Sequence, residues 1–483
     1  MSREEQIINE RLRKLKELKE SGVEPYPHNY KRESLASELQ KKYVKIKPDS
    51  ETKDRTKVAG RITNKRDIGK LIFGKIRDMS GEIQIVLKKG DTPEKVFDFF
   101  KKYSDVGDFF GIEGKVIKTR TGEISILVGK AEMLSKSILP LPDKWHGLQE
   151  KEERYRKRYL DLIMNPEVKE VFEKRQKIIN TIRDFLMKRD FIEVETPALQ
   201  PLYGGAEARP FVTNLYALDN MKLYLSISPE IYLKKLIAGG FERVFTICKN
   251  FRNEGIDKWH NPEFTMIELY QTYSDYEDMM KLVEDLLSKL VKDLHGKTSI
   301  KYSDKEIDFK TPFSRISMAD AVKKYAKKDP SKMTAEQLNE AFEQEVESKL
   351  INPTFIIDYP KEICPLTKVH RKNPKLVERF ELFINGTELA NAYSELNDPI
   401  EQKERLLNQI KNRKKANDYD AHFEANIIDE DFISAMSYGL PPLGGVGIGI
   451  DRLVMFLTDQ PSIRDVILFP FMKPDNSKEE AKK

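Results

Sequence analysis

The chain has 483 residues, a formal net charge of +5 and 39% hydrophobic residues, which predicts about two to four domains with cores of their own. Its two cysteines, Cys248 and Cys364, belong to no CxxC or Cys/His cluster, which excludes a disulfide scaffold and argues against structural zinc. No apolar run approaches the roughly 20 residues of a membrane span, and the charged N-terminus lacks a signal-peptide pattern. We therefore expect a soluble cytoplasmic protein with no membrane partner.

The charge is unevenly distributed along the chain. Residues 1–140 carry 31 Lys and Arg against 22 Asp and Glu, a net +9, whereas residues 141–483 carry 53 against 57, a net −4. A basic segment indicates a surface for a polyanion, although a solvated lysine-rich surface explains the charge equally well.

The N-terminal third predicts a helix followed by a small barrel. Residues 1–56 contain apolar positions at helical spacing over 3–20 and then a lead-in segment. Residues 57–138 contain five short segments rich in β-branched and aromatic residues, separated by turns, with one helix near 93–103. This pattern predicts a five-stranded OB-type β-barrel, a fold that often binds single-stranded nucleic acid.

The remainder predicts one larger unit. Two prolines in a non-periodic stretch mark 139–150 as a linker, and the polar residues 475–483 form a tail. Between them, 151–474 mixes strand-like segments with helical ones without regular βαβ alternation, which favours an α+β fold on an antiparallel sheet flanked by helices. The predicted helices are 166–189, 275–295, 334–349 and 400–415.

The segment 244–273 predicts two strands joined by a charged loop at 253–262. Strand side chains repeat every two residues. One face of the second strand therefore carries Phe264, Met266, Glu268 and Tyr270.

This platform has residues suited to a nucleotide. Arg252 and His260 can hold phosphates, because a guanidinium matches phosphate oxygens with two hydrogen bonds, and Phe264 offers a ring for stacking. An ordinary surface hairpin with ion pairs is the alternative.

Asn385-Gly386 between two apolar runs predicts a type I′ hairpin. Counted outward from a two-residue loop, Glu381 pairs with Ala390, and Glu381 and Glu388 are diagonal neighbours on one face. Two carboxylates this close repel unless a cation lies between them, and oxygen ligands favour Mg²⁺ shared with substrate phosphates. Two solvated glutamates on an exposed face remain the alternative.

The second strand of this hairpin continues with three polar residues that share the opposite face under strict alternation: Asn391, Tyr393 and Glu395. A bulge near Ala390 or Asn391 is needed if all of them are to line one pocket with the glutamates, and small residues there would permit it.

Near the C-terminus, Gly445, Gly447 and Gly449 lead into Asp451, Arg452 and an apolar helix. The glycines would let a backbone or a nucleotide approach. A dinucleotide fingerprint is excluded, because the GxGxxG spacing is missing and the segment lies near the C-terminus instead of after a first strand.

A strand-to-helix step occurs at 223–236. Ser228 as N-cap and Pro229 at the first helical position predict a sound helix start. Glu230 in the first turn either complements the helix dipole or captures a substrate amine.

These segments together resemble class II aminoacyl-tRNA synthetases over nearly the whole chain. FIEVETPALQPLYGGAEARPF is similar to motif 1, with Pro197 at a dimer-interface turn; FRNEGIDKWHNPEFTMIELY is similar to motif 2, and GGVGIGIDRL to motif 3. HNPEFTM together with NAYSELNDP resembles the lysine-specific members. The resemblance implies a homodimer.

The resemblance also implies roles for individual residues. Arg252 and Arg452 would be catalytic. ATP would be bound by Arg252, Glu254, His260, Asn261, Phe264, Glu381, Glu388 and Arg452. Lysine would be bound by Gly205, Glu230, Arg252, Glu268, Tyr270, Asn391, Tyr393 and Glu395. Phe73, Gln84 and Glu123 would read the tRNA anticodon, and Glu381 and Glu388 would hold Mg²⁺ brought with ATP.

The implied activity is activation of L-lysine with ATP to lysyl-adenylate, then transfer of the lysyl group to tRNA(Lys) with release of AMP and pyrophosphate. A paralogue that attaches lysine or a β-lysine-like group to a translation factor is a second hypothesis, against which the basic segment 1–140 argues. A non-catalytic RNA-binding scaffold is a third, against which Arg252, Glu381, Glu388 and Arg452 argue.

Overall fold

The computed structural model describes residues 1–142, 148, 150–364, 367–415 and 428–474. The chain divides into two units, Met1–Gly147 and Leu148–Lys483. Residues 143–147 and 149 of the predicted linker, and the predicted tail, lie outside the described residues. Within the described ranges, no helix combines the length and the apolar character that crossing a membrane requires.

The helices and strands of the first unit are, in chain order, α1 (Arg3–Glu20), α2 (Ala36–Tyr43), β1 (Ser50–Asp67), β2 (Leu71–Asp78), β3 (Gly81–Lys88), α3 (Glu94–Tyr103), β4 (Phe109–Lys118) and β5 (Ile124–Ser135). The strands pair in the order β1-β2-β3-β5-β4, and β4 pairs back onto β1, so they form a barrel. Inward-facing residues such as Ile62, Ile85 and Phe110 are fully buried and form its core. The predicted OB-type barrel and the helices at 3–20 and near 93–103 are confirmed.

The helices of the second unit are α4 (Lys151–Arg156), α5 (Arg158–Met164), α6 (Pro166–Met187), α7 (Glu230–Ala238), α8 (Tyr276–His295), α9 (Met318–Ala321), α10 (Ala335–Glu345), α11 (Pro399–Lys415), α12 (Glu430–Ser437), α13 (Ile450–Thr458) and α14 (Ile463–Val466). Its strands are β6 (Ile192–Glu193), β7 (Leu199–Gln200), β8 (Val212–Leu215), β9 (Met221–Leu225), β10 (Arg243–Phe251), β11 (Glu263–Thr272), β12 (Ser299–Tyr302), β13 (Lys305–Asp308), β14 (Ser314–Ser317), β15 (Thr354–Pro360), β16 (Leu376–Ile384), β17 (Thr387–Ser394) and β18 (Leu443–Gly449).

An eight-stranded sheet in the order β14-β15-β16-β17-β18-β11-β10-β6 organises this unit. Its inner pairings are antiparallel and only the outermost pairs, β14 with β15 and β10 with β6, are parallel, which confirms the predicted α+β class. Ile267, Ala392 and Val446 point from the central strands into a core shared with α6, α8 and α13. Because side chains alternate, the other face of the same strands is left to form a site.

The hairpin between β16 and β17 differs from its prediction in one residue. Asn385 and Gly386 have φ values of 48° and 72°, as a type I′ turn requires. Glu381, however, pairs with Asn391 and not with Ala390, because a bulge at Leu389 adds one residue to β17. The predicted bulge thus occurs at Leu389, one position earlier than expected. A small residue is not needed there, because the Leu389 side chain packs in the core.

Helix α7 also begins one residue later than predicted. Its first residue is Glu230 and Pro229 occupies the cap position. The Ser228 hydroxyl nevertheless accepts a hydrogen bond from the Glu230 N–H at 3.1 Å. Ser228 therefore caps the first turn of α7 as predicted, although it lies one residue before the N-cap position.

Candidate active site

A cavity of about 650 Å³ opens on the free face of the central strands. Every site residue predicted in the second unit lines it. These are Gly205, Glu230, Arg252, Glu254, His260, Asn261, Phe264, Glu268, Tyr270, Glu381, Glu388, Asn391, Tyr393, Glu395 and Arg452. The bulge at Leu389 brings Glu388 to the same face as Asn391 and Tyr393, which strict alternation would have separated.

A glycine in β18 creates the room in which two side chains meet. Gly445 pairs with Tyr270 on one side and Tyr393 on the other. A Cβ atom at this position would lie 2.2 Å from Glu395 Oε1 and 2.4 Å from the Tyr270 ring. We expected this glycine to admit a backbone or a nucleotide, and the structure shows that it instead makes space for protein side chains.

One end of the cavity is acidic. Glu268 accepts hydrogen bonds from the hydroxyls of Ser228 at 2.9 Å and Tyr270 at 3.4 Å, and Glu230 accepts one from the Tyr393 hydroxyl at 3.0 Å. Hydroxyl donors thus hold two of the three carboxylates at this end in fixed orientations.

The tight turn before this end requires glycine. Gly205 has φ +82°, and a Cβ there would lie 2.8 Å from the Glu230 Cβ, so the backbone passes directly against the glutamate.

Glu395 is the third carboxylate of the acidic end. Its side chain is 0% exposed, and its Oε2 lies 2.5 Å from the ammonium nitrogen of Lys234. Its Oε1 has no hydrogen-bond partner in the described part of the chain. A buried carboxylate oxygen without a donor is costly, so this atom is a place for a ligand that donates hydrogen bonds.

Two carboxylates of the acidic end, those of Glu268 and Glu395, hold protons more tightly than ordinary carboxylates. Burial raises the pKa of Glu395 to about 8, with the Glu230 charge adding to the effect and the Lys234 ammonium opposing it. Burial, then the Glu230 charge, also raises the pKa of Glu268 to about 8. A cation entering here would reverse both shifts, because it favours the ionised form.

The other end of the cavity presents arginines. The Arg252 guanidinium carbon lies 5.1 Å from the centroid of the Phe264 ring, and the buried Nε atom has no hydrogen-bond partner among the described residues. A buried guanidinium N–H is an obligatory donor, so it points to an anionic or carbonyl ligand.

Arg452 is fixed by the loop and the hairpin. Its Nη1 donates to the Glu388 carbonyl at 2.8 Å, and its Nη2 lies 3.1 Å from Nε2 of His260. Since a guanidinium cannot accept, His260 Nε2 accepts and the ring hydrogen is on Nδ1, which donates to Asp257 at 2.9 Å.

Two further residues of the loop are partly engaged with the backbone. The Asn261 amide donates to the Glu263 carbonyl at 2.6 Å and accepts from the Phe471 N–H at 3.2 Å. Glu254 accepts from the Arg209 N–H at 3.3 Å and stays exposed at the rim.

Glu381 and Glu388 form a second acidic pair near Arg452. Enclosure by the cavity walls and the Glu381 charge raise the pKa of Glu388, whose side chain is still 41% exposed. Among the described residues no group of three or more His, Cys, Asp or Glu could hold a metal ion by itself. Two repelling carboxylates fit a divalent cation that takes its remaining ligands from phosphate oxygens.

Two protein families match this chain. Residues 150–473 match the family tRNA synthetases class II (D, K and N), and residues 56–134 match the OB-fold nucleic acid binding domain. The chain belongs to the class II tRNA synthetases. The family match confirms the resemblance to class II aminoacyl-tRNA synthetases that the sequence motifs indicate.

Several lysine–tRNA ligases align with this synthetase over nearly its full length. The lysine–tRNA ligase of Carboxydothermus hydrogenoformans is 49% identical over 97% of this chain and 98% of its own length. That of Syntrophomonas wolfei is 49% identical over 99% of this chain and 100% of its own, and that of Thermotoga maritima is 47% identical over 98% and 97%.

Several residues of the synthetase site were missed by sequence reasoning. Arg379 contacts Glu381, donates to Asn391 at 3.2 Å and lies over the Tyr359 ring, whose hydroxyl donates to Glu381 at 2.8 Å. The two-residue period of β16 puts Arg379 on the face of Glu381, which was the available signal.

Asp451 was noticed only as a neighbour of Arg452. Its carboxylate accepts from the Thr265 N–H at 2.7 Å and pairs with Arg175 at 2.5 Å, so it ties α13 to β11 and α6. Nothing in the local sequence pattern signals this role, because its partners are 186 and 276 residues away.

The predicted anticodon residues lie in the first unit. Gln84 and Glu123 are joined by a hydrogen bond of 2.8 Å, and Ser125 donates to Gln84 at 2.7 Å. Phe73 is half-buried in β2 opposite Val86, and Lys75 on the same face lies 3.3 Å from Glu123. The barrel thus offers an aromatic ring beside amide, carboxylate and ammonium groups.

The raised pKa values of Glu268 and Glu395 predict proton release on binding of an ammonium ligand. With L-lysine as the probe, we expect the association constant to rise with pH between about 6 and 8, by up to tenfold per unit for each proton released. Calorimetric titration in two buffers of different ionisation enthalpy counts the protons. L-Norleucine, which lacks the ε-ammonium, should release fewer protons. Equal proton release by the two ligands would contradict binding of the ε-ammonium beside Glu268 and Glu395.

Proposed function

We propose that this synthetase is a lysine–tRNA ligase that activates L-lysine with ATP and transfers the lysyl group to tRNA(Lys). The observation that carries the proposal is the buried Glu395, whose Oε1 lacks a donor at the end of a cavity with two further glutamates. An ammonium group satisfies such a carboxylate, whereas a neutral side chain would leave it buried and unpaired. The names of the close relatives support the same substrate.

The acidic end divides between the two amino groups of the substrate. Glu395 would take the ε-ammonium, aided by Glu268 and Tyr270, while Asn391 and Tyr393 complete the wall. Glu230, beside Gly205, would take the α-ammonium. Tyr393 borders both subsites, because its hydroxyl donates a hydrogen bond to Glu230 and its ring lies on the wall beside Glu395.

Activation would then proceed between the lysine and the arginines. A carboxylate oxygen of lysine attacks the α-phosphorus of ATP, a new O–P bond forms, and the bond to the β-phosphate breaks to release pyrophosphate. Arg252 would bind both the lysine carboxylate and the α-phosphate, which brings the reacting atoms together and stabilises the charge that develops. Its unpartnered Nε supports this role.

The remaining nucleotide contacts come from the loop and from α13. Phe264 would stack on the adenine, and Arg452 would lie on the opposite side near the γ-phosphate. His260, Asn261 and Glu254 would line the nucleotide at the rim. Arg452 is already held by Glu388 and His260, so little conformational entropy is lost when it binds phosphate.

Glu381 and Glu388 would hold Mg²⁺ brought with ATP, which neutralises phosphate charge when bound. Glu381 is steadied by Arg379 and Tyr359, and its oxygens keep lone pairs for a metal. In the second step, the terminal ribose hydroxyl of tRNA attacks the lysyl carbonyl carbon, the bond to AMP breaks, and AMP and the hydroxyl proton leave.

The barrel would bind the anticodon of tRNA(Lys). Phe73 supplies a stacking surface, and Gln84 and Glu123 supply base-edge hydrogen bonds, which suit unpaired bases splayed out of a loop. The +9 charge of residues 1–140 supports the interaction. We place the enzyme in the cytoplasm, where unpaired thiols such as Cys248 and Cys364 remain reduced.

The decisive measurement is lysine-dependent ATP–pyrophosphate exchange by the full chain. We expect exchange with L-lysine, none with L-norleucine, and loss of exchange when excess EDTA removes Mg²⁺. Glu395→Gln should lower kcat/KM for lysine by about 100-fold or more, because a neutral amide replaces a buried charge partner, while the KM for ATP changes by about threefold at most. Glu306→Gln, on an exposed hairpin, is the matched control. Equal losses for lysine and ATP would refute the role of Glu395.

Phe73→Ala tests the anticodon contact. Loss of one stacked base should raise the KM for tRNA(Lys) by roughly 5- to 150-fold, since stacking contributes about 1–3 kcal/mol per base. Exchange without tRNA should be unaffected. If charging of tRNA(Lys) keeps its wild-type KM, Phe73 does not contact the anticodon.

We further propose that the enzyme is a homodimer through the motif 1 region. Large apolar side chains are exposed there on β6 to β9 and the adjoining turn, which supports burial against a second copy. They are Ile192, Leu199, Val212, Tyr216, Leu218 and Met221.

Sedimentation velocity tests this assembly. Twice the chain mass of 56.2 kDa is expected for the wild type. Tyr216→Asp, which places a charge in the patch, should shift the protein to the monomer, whereas Tyr438→Asp, at a side chain 90% exposed elsewhere, should not. A monomeric wild type would refute the proposal.

A further inference from the structure

The two glutamates assigned to the amino groups of lysine are joined by a lysine of the chain itself. Lys234 Nζ lies 2.5 Å from Glu230 Oε1 and 2.5 Å from Glu395 Oε2. The three side chains are 1%, 3% and 0% exposed, respectively. Lys234 does not line the cavity, so its ammonium lies behind the two carboxylates as seen from the ligand space.

The helix explains this arrangement. Glu230 and Lys234 are four residues apart in α7, so their side chains lie on the same helical face. The Lys234 ammonium is also 5.8 Å from the ring centroids of Tyr270 and Tyr393. Three elements, α7, β11 and β17, therefore converge on one buried cation.

Lys234 stays charged in this position. Burial favours its neutral form, but the Glu230 and Glu395 carboxylates outweigh burial and hold the pKa of Lys234 above its usual range. A buried ion pair of this kind contributes little net stability compared with apolar residues of similar volume, so stability alone does not explain its presence.

We infer that Lys234 is a positioning residue for substrate lysine, which fixes the separation of Glu230 and Glu395 and leaves the acidic end with two unbalanced negative charges. This inference rests on the proposed function. Glu230, Glu268 and Glu395 would carry three negative charges when ionised, and Lys234 neutralises one. The α- and ε-ammonium groups of lysine neutralise the other two, while its carboxylate pairs with Arg252.

The charge of Lys234 also lowers the pH at which Glu395 becomes ionised. Glu395 faces Lys234 and Glu230 from α7, Glu268 and Tyr270 from β11, and Tyr393 from β17. Burial holds the pKa of both tyrosines well above the usual value, so they stay neutral. Lys234 is thus the cation that opposes protonation of Glu395, and its removal raises the pKa of that carboxyl further.

The experiment compares Lys234→Met, Lys234→Arg and Lys234→Gln with the wild type in ATP–pyrophosphate exchange from pH 6.5 to 8.5. For Lys234→Met we expect the KM for lysine to rise about tenfold or more at pH 7, because one pKa unit of extra protonation costs a factor of ten, while the KM for ATP changes by about threefold at most. The lysine KM of the wild type should level off near pH 8, whereas that of Lys234→Met should still be falling at pH 8.5. Lys234→Arg keeps the charge and should keep the wild-type pH profile, even if its KM rises.

Lys235→Met is the matched control. Lys235 is the next residue of α7 and also pairs with two acids, Asp429 and Asp431, but it is 22% exposed and touches neither Glu230 nor Glu395. Its loss should leave the lysine KM and its pH profile unchanged.

Each outcome is informative. Absence of lysine-dependent exchange by the wild type would overturn the proposed function. If the wild type is active, an unchanged pH profile of the lysine KM in Lys234→Met would overturn only the role of Lys234. The same holds if Lys234→Met shows only a lower kcat at every pH together with a lower melting temperature. If Lys234→Met does not fold, Lys234→Gln, which keeps a donor without the charge, makes the same comparison. A shift in the Lys234→Arg profile as large as that of Lys234→Gln would also overturn it.

Discussion

Burial of carboxylates is the constraint on which this site depends. Glu230, Glu268 and Glu395 lie in an enclosed end of the cavity, where an ionised carboxylate is stable only beside a cation or strong donors. Hydroxyls of Ser228, Tyr270 and Tyr393 satisfy part of that requirement and Lys234 satisfies another part. What remains unsatisfied defines the ligand: a molecule that brings positive charge to one end and, because of Arg252, negative charge to the other.

The sheet makes this burial possible. Antiparallel strands direct one set of residues into the core with α6, α8 and α13 and the alternate set into the cavity. The glycine strand β18 lies between β11 and β17, and at Gly445 the absence of a Cβ lets Tyr270 and Glu395 approach one another. At the hairpin, the bulge at Leu389 turns Glu388 toward the same cavity. The proposed sites for the amino acid and the nucleotide thus depend on backbone features of adjacent strands.

The two ends of the cavity obey different physical rules. The acidic end is buried and pre-organised by hydrogen bonds, so it discriminates by the cost of leaving a charge unpaired. The end proposed for the nucleotide is more open, and its arginines are held by Phe264, Glu388 and His260 in positions suited to phosphate. In the proposed function, this separation lets one sheet face bind a cationic amino acid and a polyanion side by side.

Local sequence patterns predict the helices and strands and most of the residues that line the cavity, since both depend on short-range spacing. The alternation in β11 and the Asn385-Gly386 turn are short-range signals, and so are the barrel strands and the three family motifs. Other features are visible only in the folded chain: the register beyond Leu389, the crowding around Gly445, and the partners of Asp451, Arg379 and Lys234. Each of these depends on which residues from distant parts of the chain compete for one buried space. Lys234 illustrates the difference, because its spacing from Glu230 is visible in the sequence, whereas its pairing with Glu395, 161 residues later, exists only once α7 packs on the sheet.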